Sequence, residues 1–348
     1  MSTQSAASMP TYAQYRALVP PLTANLRKGQ GGRIGILGGS SDYTGAPYFG
    51  GMGALRLVSI KTHQTGADLA HVICDEDAAT AIKSYSPDLI VHPYIKIRTT
   101  SELQDEGEVN MIWAQTFDDI SALLKRVHVL AVGPGLSRDK GMLQCAKHAI
   151  EKARELEMPI VIDADALFLI QNEPDLVQGY AKAILTPNLV EFGRLCDVKN
   201  VDVEDSESEK AAVQTLSQAF DGVIVVRKGP NDIISNGKTV HVVVNEGGLK
   251  RSGGQGDILA GMIATSLAWG VAYEKNVWDH SHPVLEEEVP LIACFGACII
   301  NRECSRLAFN KHKRAVQASD VLEEIGPFFF NFYDKARPNA GWGEAIYG

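Results

Sequence analysis

Residues 247–261 read GGLKRSGGQGDILAG, and the switch from glycine to apolar sequence inside them decides how the chain is read. Gly253, Gly254 and Gly256 surround Gln255, a composition that favours a loop with unusual backbone angles over a regular element. From Ile258 to about residue 269 the chain is small and apolar, as in a helix buried on most sides. A glycine loop entering such a helix aims backbone N–H groups and the positive end of the helix dipole into one concavity, a site suited to phosphate oxygens. Lys250 and Arg251, just before the loop, add cationic donors, although they also read as plain surface charges. Asp257 stands at the helix start, either as an N-cap or within reach of whatever the loop holds. The GxxxxGK[ST] spacing of a P-loop is absent.

Outward from this stretch, strand and helix patterns alternate. Short buried strands are expected at 33–37, 69–74, 89–91, 127–132, 159–163, 183–185 and 223–227. Helices are expected at 12–19, 46–59, 76–84, 116–126, 140–156, 256–269, 289–309 and 319–326. A hairpin at 233–235 and 239–244 turns on Asn236-Gly237. Such alternation implies an α/β fold: a mostly parallel central sheet with helices on both faces and ligands at the carboxyl ends of the strands. The whole chain, 1–348, reads as one domain with its core at about 12–330. Residues 99–115, acidic and without periodicity, and 273–288, polar and charged, read as surface insertions; an extended C-terminal arm starts at about 337.

Composition excludes several classes. Of 348 residues 45% are hydrophobic and 22% charged, which is ordinary for a globular protein and excludes a disordered or coiled-coil chain. A formal net charge of −9 makes a general nucleic-acid binder a poor reading, and an anionic substrate would need local donors. The longest apolar run, Val289 to Ile300, has 12 residues, against roughly 20 for a membrane span. The N-terminal segment shows neither secretory nor transit character. Six cysteines form no CxxC pair, and His280 and His282 lack the companions of a zinc site. The expectation is a reduced, cytoplasmic protein, with assembly into identical subunits left open.

Five further motifs fall at strand ends. Lys228-Gly229-Pro230-Asn231-Asp232 suits a nucleotide loop or an ordinary turn. VGPGL, 132–136, begins like GxGxxG but has Arg138 in the sixth place, so the dinucleotide fingerprint fails, and Gly135 reads as a point of close ligand approach. In TPNLVEF, 186–192, Asn188 and Glu191 stand at capping-box spacing. DADAL, 163–167, offers Asp163 and Asp165 to a metal–phosphate centre, or Asp165 as a cap. GGSSDYTGAP, 38–47, carries hydroxyls and a ring that could hold a polar ring system.

In this order the motifs resemble the ribokinase-like superfamily and, within it, the ATP-dependent (S)-NAD(P)H-hydrate dehydratase family. The carriers are GGSSDYTGAP, VGPGL, DADAL, TPNLVEFGRL (186–195), KGPND and KRSGGQGDILAG (250–261), over about residues 12–330. The resemblance implies a ribokinase-like three-layer sandwich. It implies that ATP is held by Lys228, Gly229, Pro230, Asn231 and Asp232, and by Gly247, Gly248, Leu249, Lys250, Arg251, Ser252, Gly253, Gly254, Gln255 and Gly256. The hydrated dinucleotide, NADHX or NADPHX, would be held by Gly135 and by Asn188, Leu189, Val190, Glu191, Phe192, Gly193 and Arg194. Asp257 would meet the substrate hydroxyl and act as base, kept ionised by the loop donors and the helix dipole. Mg²⁺ is implied, with no ligand assigned by spacing. A separate epimerase is implied as functional partner. Gln255 stands where ADP-using relatives carry threonine, and Ser137 where a glycine often follows VGPGL. The rival readings are a small-molecule hydroxyl kinase of the same fold and a non-catalytic nucleotide sensor.

Overall fold

The structure, a computed structural model, describes residues 12–21, 29, 31–57, 67–202, 208–278, 280 and 284–334. The C-terminal arm expected from 337 lies outside the described residues, as do 279 and 281–283 of the stretch 273–288.

Seven described strands run parallel: β1 (Arg33–Leu37), β2 (Leu69–Asp75), β3 (Leu89–Ile95), β4 (Val129–Val132), β5 (Ile160–Ile162), β6 (Ala183–Leu185) and β7 (Ile224–Arg227). The hairpin β8 (Asp232–Ser235) and β9 (Val240–Val243) extends them antiparallel, giving a nine-stranded sheet of order β3-β2-β1-β4-β5-β6-β7-β8-β9. The helices are α1 (Tyr12–Leu18), α2 (Gly45–Arg56), α3 (Glu76–Tyr85), α4 (Ile97–Glu102), α5 (Glu106–Leu124), α6 (Lys140–Glu155), α7 (Asp165–Asn172), α8 (Leu189–Val198), α9 (Glu209–Ala219), α10 (Gln255–Glu274), α11 (Val289–His312) and α12 (Ala318–Phe329).

Two cores flank the sheet, and the strand period of two residues assigns side chains between them. Val129 and Ala131 of β4 join one core while Leu130 and Val132 join the other; Val161 of β5 faces the first, Ile160 and Ile162 the second. The first core is closed by α1, α2, α3, α10, α11 and α12, the second by α5 to α9. Three layers follow directly. Helix α10 is buried almost all round from Ile258 to Tyr273, as its uniform apolarity requires. Among the described residues no helix is long and apolar enough to cross a membrane.

Helix α9 was not expected, β3 and α10 run past their expected ends at 91 and 269, and the start of α5 is misplaced. The helix expected at 116–126 starts at Glu106, so half of the 99–115 stretch is helical, and α4 occupies most of the rest. Asp105 caps α5 by accepting from the Glu108 N–H at 2.9 Å. The fully buried positions of α5 are only Thr116, Ile120, Leu123 and Leu124; nearer its start Val109, Ile112, Trp113 and Phe117 keep helical spacing, with Trp113 and Phe117 partly buried against the second core, but the acidic and polar residues among them obscure the period.

Candidate active site

The strand order reverses between β1 and β4, the switch point at which an open parallel sheet leaves a crevice. Two of the sequence motifs meet there. The N–H groups of Gly39 and Ser40 both donate to the Gly135 carbonyl, at 3.1 and 3.0 Å. Gly135 has φ of +64°, and a Cβ on it would stand 2.5 Å from the Tyr43 carbonyl oxygen. Gly133 is tighter still, since its Cβ would lie 1.7 Å from the Asp163 carbonyl oxygen. The glycines of VGPGL therefore let three strand-end loops interlock.

Asp163 ends β5 and is 2% exposed. Its Oδ1 accepts from Thr186 Oγ1 at 2.8 Å and from Lys228 Nζ at 2.6 Å. The next residue, Ala164, has φ of 50° and ψ of −126°, a strained conformation for an alanine, of the kind that persists where surrounding structure fixes a functional group. Lys228 ends up inside the site, between Asp163 and the start of α10: a Cβ on Gly256 would lie 3.4 Å from its Nζ and 3.7 Å from Asp163 Oδ2. Burial opposes the Lys228 charge, but Asp163, Glu191 and Asp257 outweigh it and hold the ammonium above its ordinary pKa.

Asp257 completes the cluster. It does not cap α10; the N-cap is Gly254, in the left-handed region at φ 96°, and Asp257 lies in the first turn. The expectation that loop donors and dipole keep its pKa low is overturned. Burial, then the charge of Asp163, push its carboxyl up to about 7, with Lys228 pulling only partly the other way. A base poised near neutrality results.

The glycine loop and the KGPND loop lie on one flank of this cluster. Gln255 closes the glycine loop on itself, its Nε2 donating to the Lys250 carbonyl and to Ser252 Oγ. A Cβ on Gly254 would meet Ala318 and Phe49 within 3 Å, so only glycine fits between α2 and α12. Gly253 has open space around it and Leu249 is 87% exposed, leaving this face of the loop free for a ligand. Lys250 donates to the Val316 carbonyl and Arg251 to the Gly229 carbonyl. Pro230 and Asn231 are exposed. Asp232 is not: its carboxylate pairs with Arg302 at 3.1 Å and accepts the Gly229 N–H at 3.2 Å. Arg302, 7% exposed on α11, also donates to the carbonyls of Asn245, Gly229 and Pro230. Expected as an ATP contact, Asp232 instead holds the loop from beneath, because its charge is already consumed.

Beside the KGPND loop stands α8: a Cβ on Gly229 would lie 3.7 Å from Leu189 Cδ2, and the Lys228 N–H donates to the Pro187 carbonyl at 2.8 Å. Asn188 and Glu191 form the reciprocal capping box, with Asn188 Oδ1 accepting from the N–H groups of Val190 and Glu191, and Glu191 Oε2 accepting from the Asn188 N–H. Burial raises the Glu191 carboxyl above its usual range. Leu189 and Val190 are 51% and 63% exposed, unusual for apolar side chains and available to a ligand. Gly193 has nothing near it and Arg194 is exposed. Phe192, expected to touch substrate, is buried in the core beneath Arg227, on the helix face turned inward. Asp163, offered from the sequence to a metal–phosphate centre, lies in the cluster; Arg302 was not singled out, and a buried arginine in the largely apolar α11 was its signal.

Comparison with known proteins agrees with this arrangement. Residues 34–327 match the family model described as NAD(P)H-hydrate dehydratase. A Neurospora crassa protein named ATP-dependent (S)-NAD(P)H-hydrate dehydratase is 45% identical over 343 residues, covering 94% of this chain and 95% of that one. One of the same name from Pongo abelii is 41% identical over 319 residues, covering 92% and 88%. Among solved structures, a ribokinase-like protein of Enterococcus faecalis superposes with a TM-score of 0.68 at 19% identity, covering 92% of this chain and 95% of that one. The ADP/ATP-dependent NAD(P)H-hydrate dehydratase of Bacillus subtilis, co-crystallised with ATP/Mg²⁺, gives 0.61 at 20% identity, covering 93% and 100%. The likeness of structure establishes the ribokinase-like fold, and the match of sequence establishes that the chain belongs to the NAD(P)H-hydrate dehydratase family.

Proposed function

We propose that the protein is an ATP-dependent lyase that returns the (S)-hydrate of NADH or NADPH to the intact dinucleotide, a nicotinamide-nucleotide repair activity. The carrying observation is the Asp163–Lys228–Asp257 cluster at the mouth of the glycine loop, within a chain of this family. Water added across a ring double bond leaves a hydroxyl, and hydroxide departs poorly. Asp257 takes the hydroxyl proton as the oxygen attacks the γ-phosphorus of ATP, the bond to ADP breaks, and the phosphoryl group moves to the substrate. Phosphate then leaves with the C–O electron pair while the ring nitrogen feeds electrons in; loss of the neighbouring C–H proton restores the double bond. Lys228 and the N–H groups of the glycine loop face the charge that builds on phosphate, which is the main demand of phosphoryl transfer.

Mg²⁺ would arrive with ATP and neutralise phosphate charge. It would be held mostly by phosphate oxygens and water, with Asp163 as a nearby carboxylate. Leu189, Val190 and Arg194 supply the exposed surface for the dinucleotide, and the loops at 228–231 and 247–256 the surface for ATP. A separate epimerase would feed the (S)-hydrate from its (R)-epimer, which differs only at the hydrated ring carbon. Six free, buried cysteines support a reducing, cytoplasmic setting. The test mixes enzyme, ATP, Mg²⁺ and NADHX and follows NADH absorbance beside ADP and phosphate release. One NADH, one ADP and one phosphate are expected per turnover. A stable phosphorylated product without NADH recovery would mark a kinase instead.

A further inference from the structure

We infer that a pocket on the β5–β6 flank of the site is a phosphate subsite for the dinucleotide, with Arg138 and Arg194 as its donors. Its volume is about 120 Å³, and its walls include Arg138, Ala164, Asp165, Phe168, Glu191 and Arg194. That space admits a phosphate group together with some water. Arg138 is built for the task. Its Cζ lies 4.3 Å above the Phe168 ring and its Nε donates to Asp165 Oδ1 at 3.4 Å, so the guanidinium is stacked flat and held by one edge. Its two terminal nitrogens make no hydrogen bond among the described residues. Arg194 approaches from α8, exposed and with neither hydrogen bond nor ion pair among the described residues.

Two carboxylates share the wall, and both are occupied. Asp165 holds Arg138, and Glu191 accepts the Asn188 N–H at 2.8 Å with burial disfavouring its charge. The donors left to an entering anion are thus the terminal nitrogens of Arg138 and the guanidinium of Arg194, in a chain of net charge −9 where an anionic dinucleotide needs local donors. Its position is also right. Ala164 joins it to Asp163, and Arg138 follows Gly135 by three residues. A dinucleotide with its ring hydroxyl at Asp257 carries its phosphates away from the ring, and paired guanidiniums are the side chains best matched to phosphate oxygens.

The inference rests on the dehydratase reading, so wild-type turnover is measured first. Arg138→Gln and Arg194→Gln are each expected to raise KM for the hydrate about 10-fold or more, the scale of a lost charge-assisted hydrogen bond, with kcat and KM for ATP near wild type. Lys152→Gln, on the remote outer face of α6, serves as charge control and should change neither. An equal rise for NADHX and NADPHX places the diphosphate in the pocket; a rise for NADPHX alone places the 2′-phosphate there. Unchanged KM for both substrates in both variants overturns the subsite while leaving the activity standing. A wild type that regenerates no NADH overturns both.

Discussion

At the scale of the residue, Asp257 is the position where two expectations collide. A carboxylate in the first turn of a helix should be acidic. Here burial and Asp163 win, and the carboxyl sits at about 7. Turnover should therefore fall about tenfold per pH unit below neutrality, as the base form is lost. Asp163→Asn removes the like charge, so the acid limb of the pH–rate profile should move down; a limb that stays put would remove Asp163 from the electrostatics. Asp257→Asn should lower turnover about 10²-fold or more. Its stability effect has the opposite sign to that of a lost cap. Because the folded pKa lies above the ordinary 3.8, folding favours the protonated form, and that contribution, present below pH 4, is lost as pH rises through 7. The asparagine variant avoids the loss, so its melting temperature should exceed wild type at pH 8, by on the order of a few kcal/mol in stability, with the gap closing toward pH 4. Ser137 is a simpler case. With φ of 62°, a serine there is strained by about 1–2 kcal/mol, and the extra freedom of an unfolded glycine offsets about half. Ser137→Gly should raise the urea midpoint modestly, and a lowered midpoint would mean the Ser137 hydroxyl matters more than its backbone.

At the scale of the element, Arg302 ties α11 to the loop proposed to hold ATP. It bonds carbonyls of residues 229, 230 and 245 and pairs with Asp232, which ties the KGPND loop to the exit of β9. Breaking one side of a buried ion pair costs about 3–5 kcal/mol, whereas replacing both sides with apolar groups is often neutral. Arg302→Met should be strongly destabilised, and Arg302→Met with Asp232→Leu should recover much of that loss by urea unfolding. ATP affinity should stay poor in both, because the carbonyls of Gly229 and Pro230 have lost their anchor. Normal ATP affinity in the double variant would reduce Arg302 to a packing residue. Some helices were readable from a buried face, as α6 was, with Met142, Cys145, Ala146, Ala149, Ile150 and Ala153 at helical spacing, whereas α9 buries Ala212, Val213 and Leu216 and was not expected. The front of α5 was also missed, because its apolar positions, Val109, Ile112 and Trp113, are only partly buried and stand among acidic and polar residues.

At the scale of the whole molecule, the site joins segments that sequence separates widely. Motif order carried the fold and the family. Which side chains face the ligand was not legible, because Phe192 and Asp232 are turned away by the inward face of α8 and by Arg302, partners that no local spacing reveals. The same dispersal links binding to stability. The glycine loop is seated against α2 and α12 through Gly254, against residue 316 through Lys250, and against the 229 carbonyl through Arg251. ATP on this surface would clamp parts of both the first core and the hairpin edge, and a ligand that binds only the folded state stabilises it by about 2.7 kcal/mol at a hundredfold excess over Kd. Melting temperature should thus rise with ATP and Mg²⁺. The Asp257→Asn variant separates binding from chemistry: its carboxamide keeps the shape of the side chain but cannot take the hydroxyl proton. We expect it to show the full thermal shift while turning over poorly. A variant that loses both would make Asp257 a determinant of nucleotide binding, and one that keeps both would leave the proton to another base.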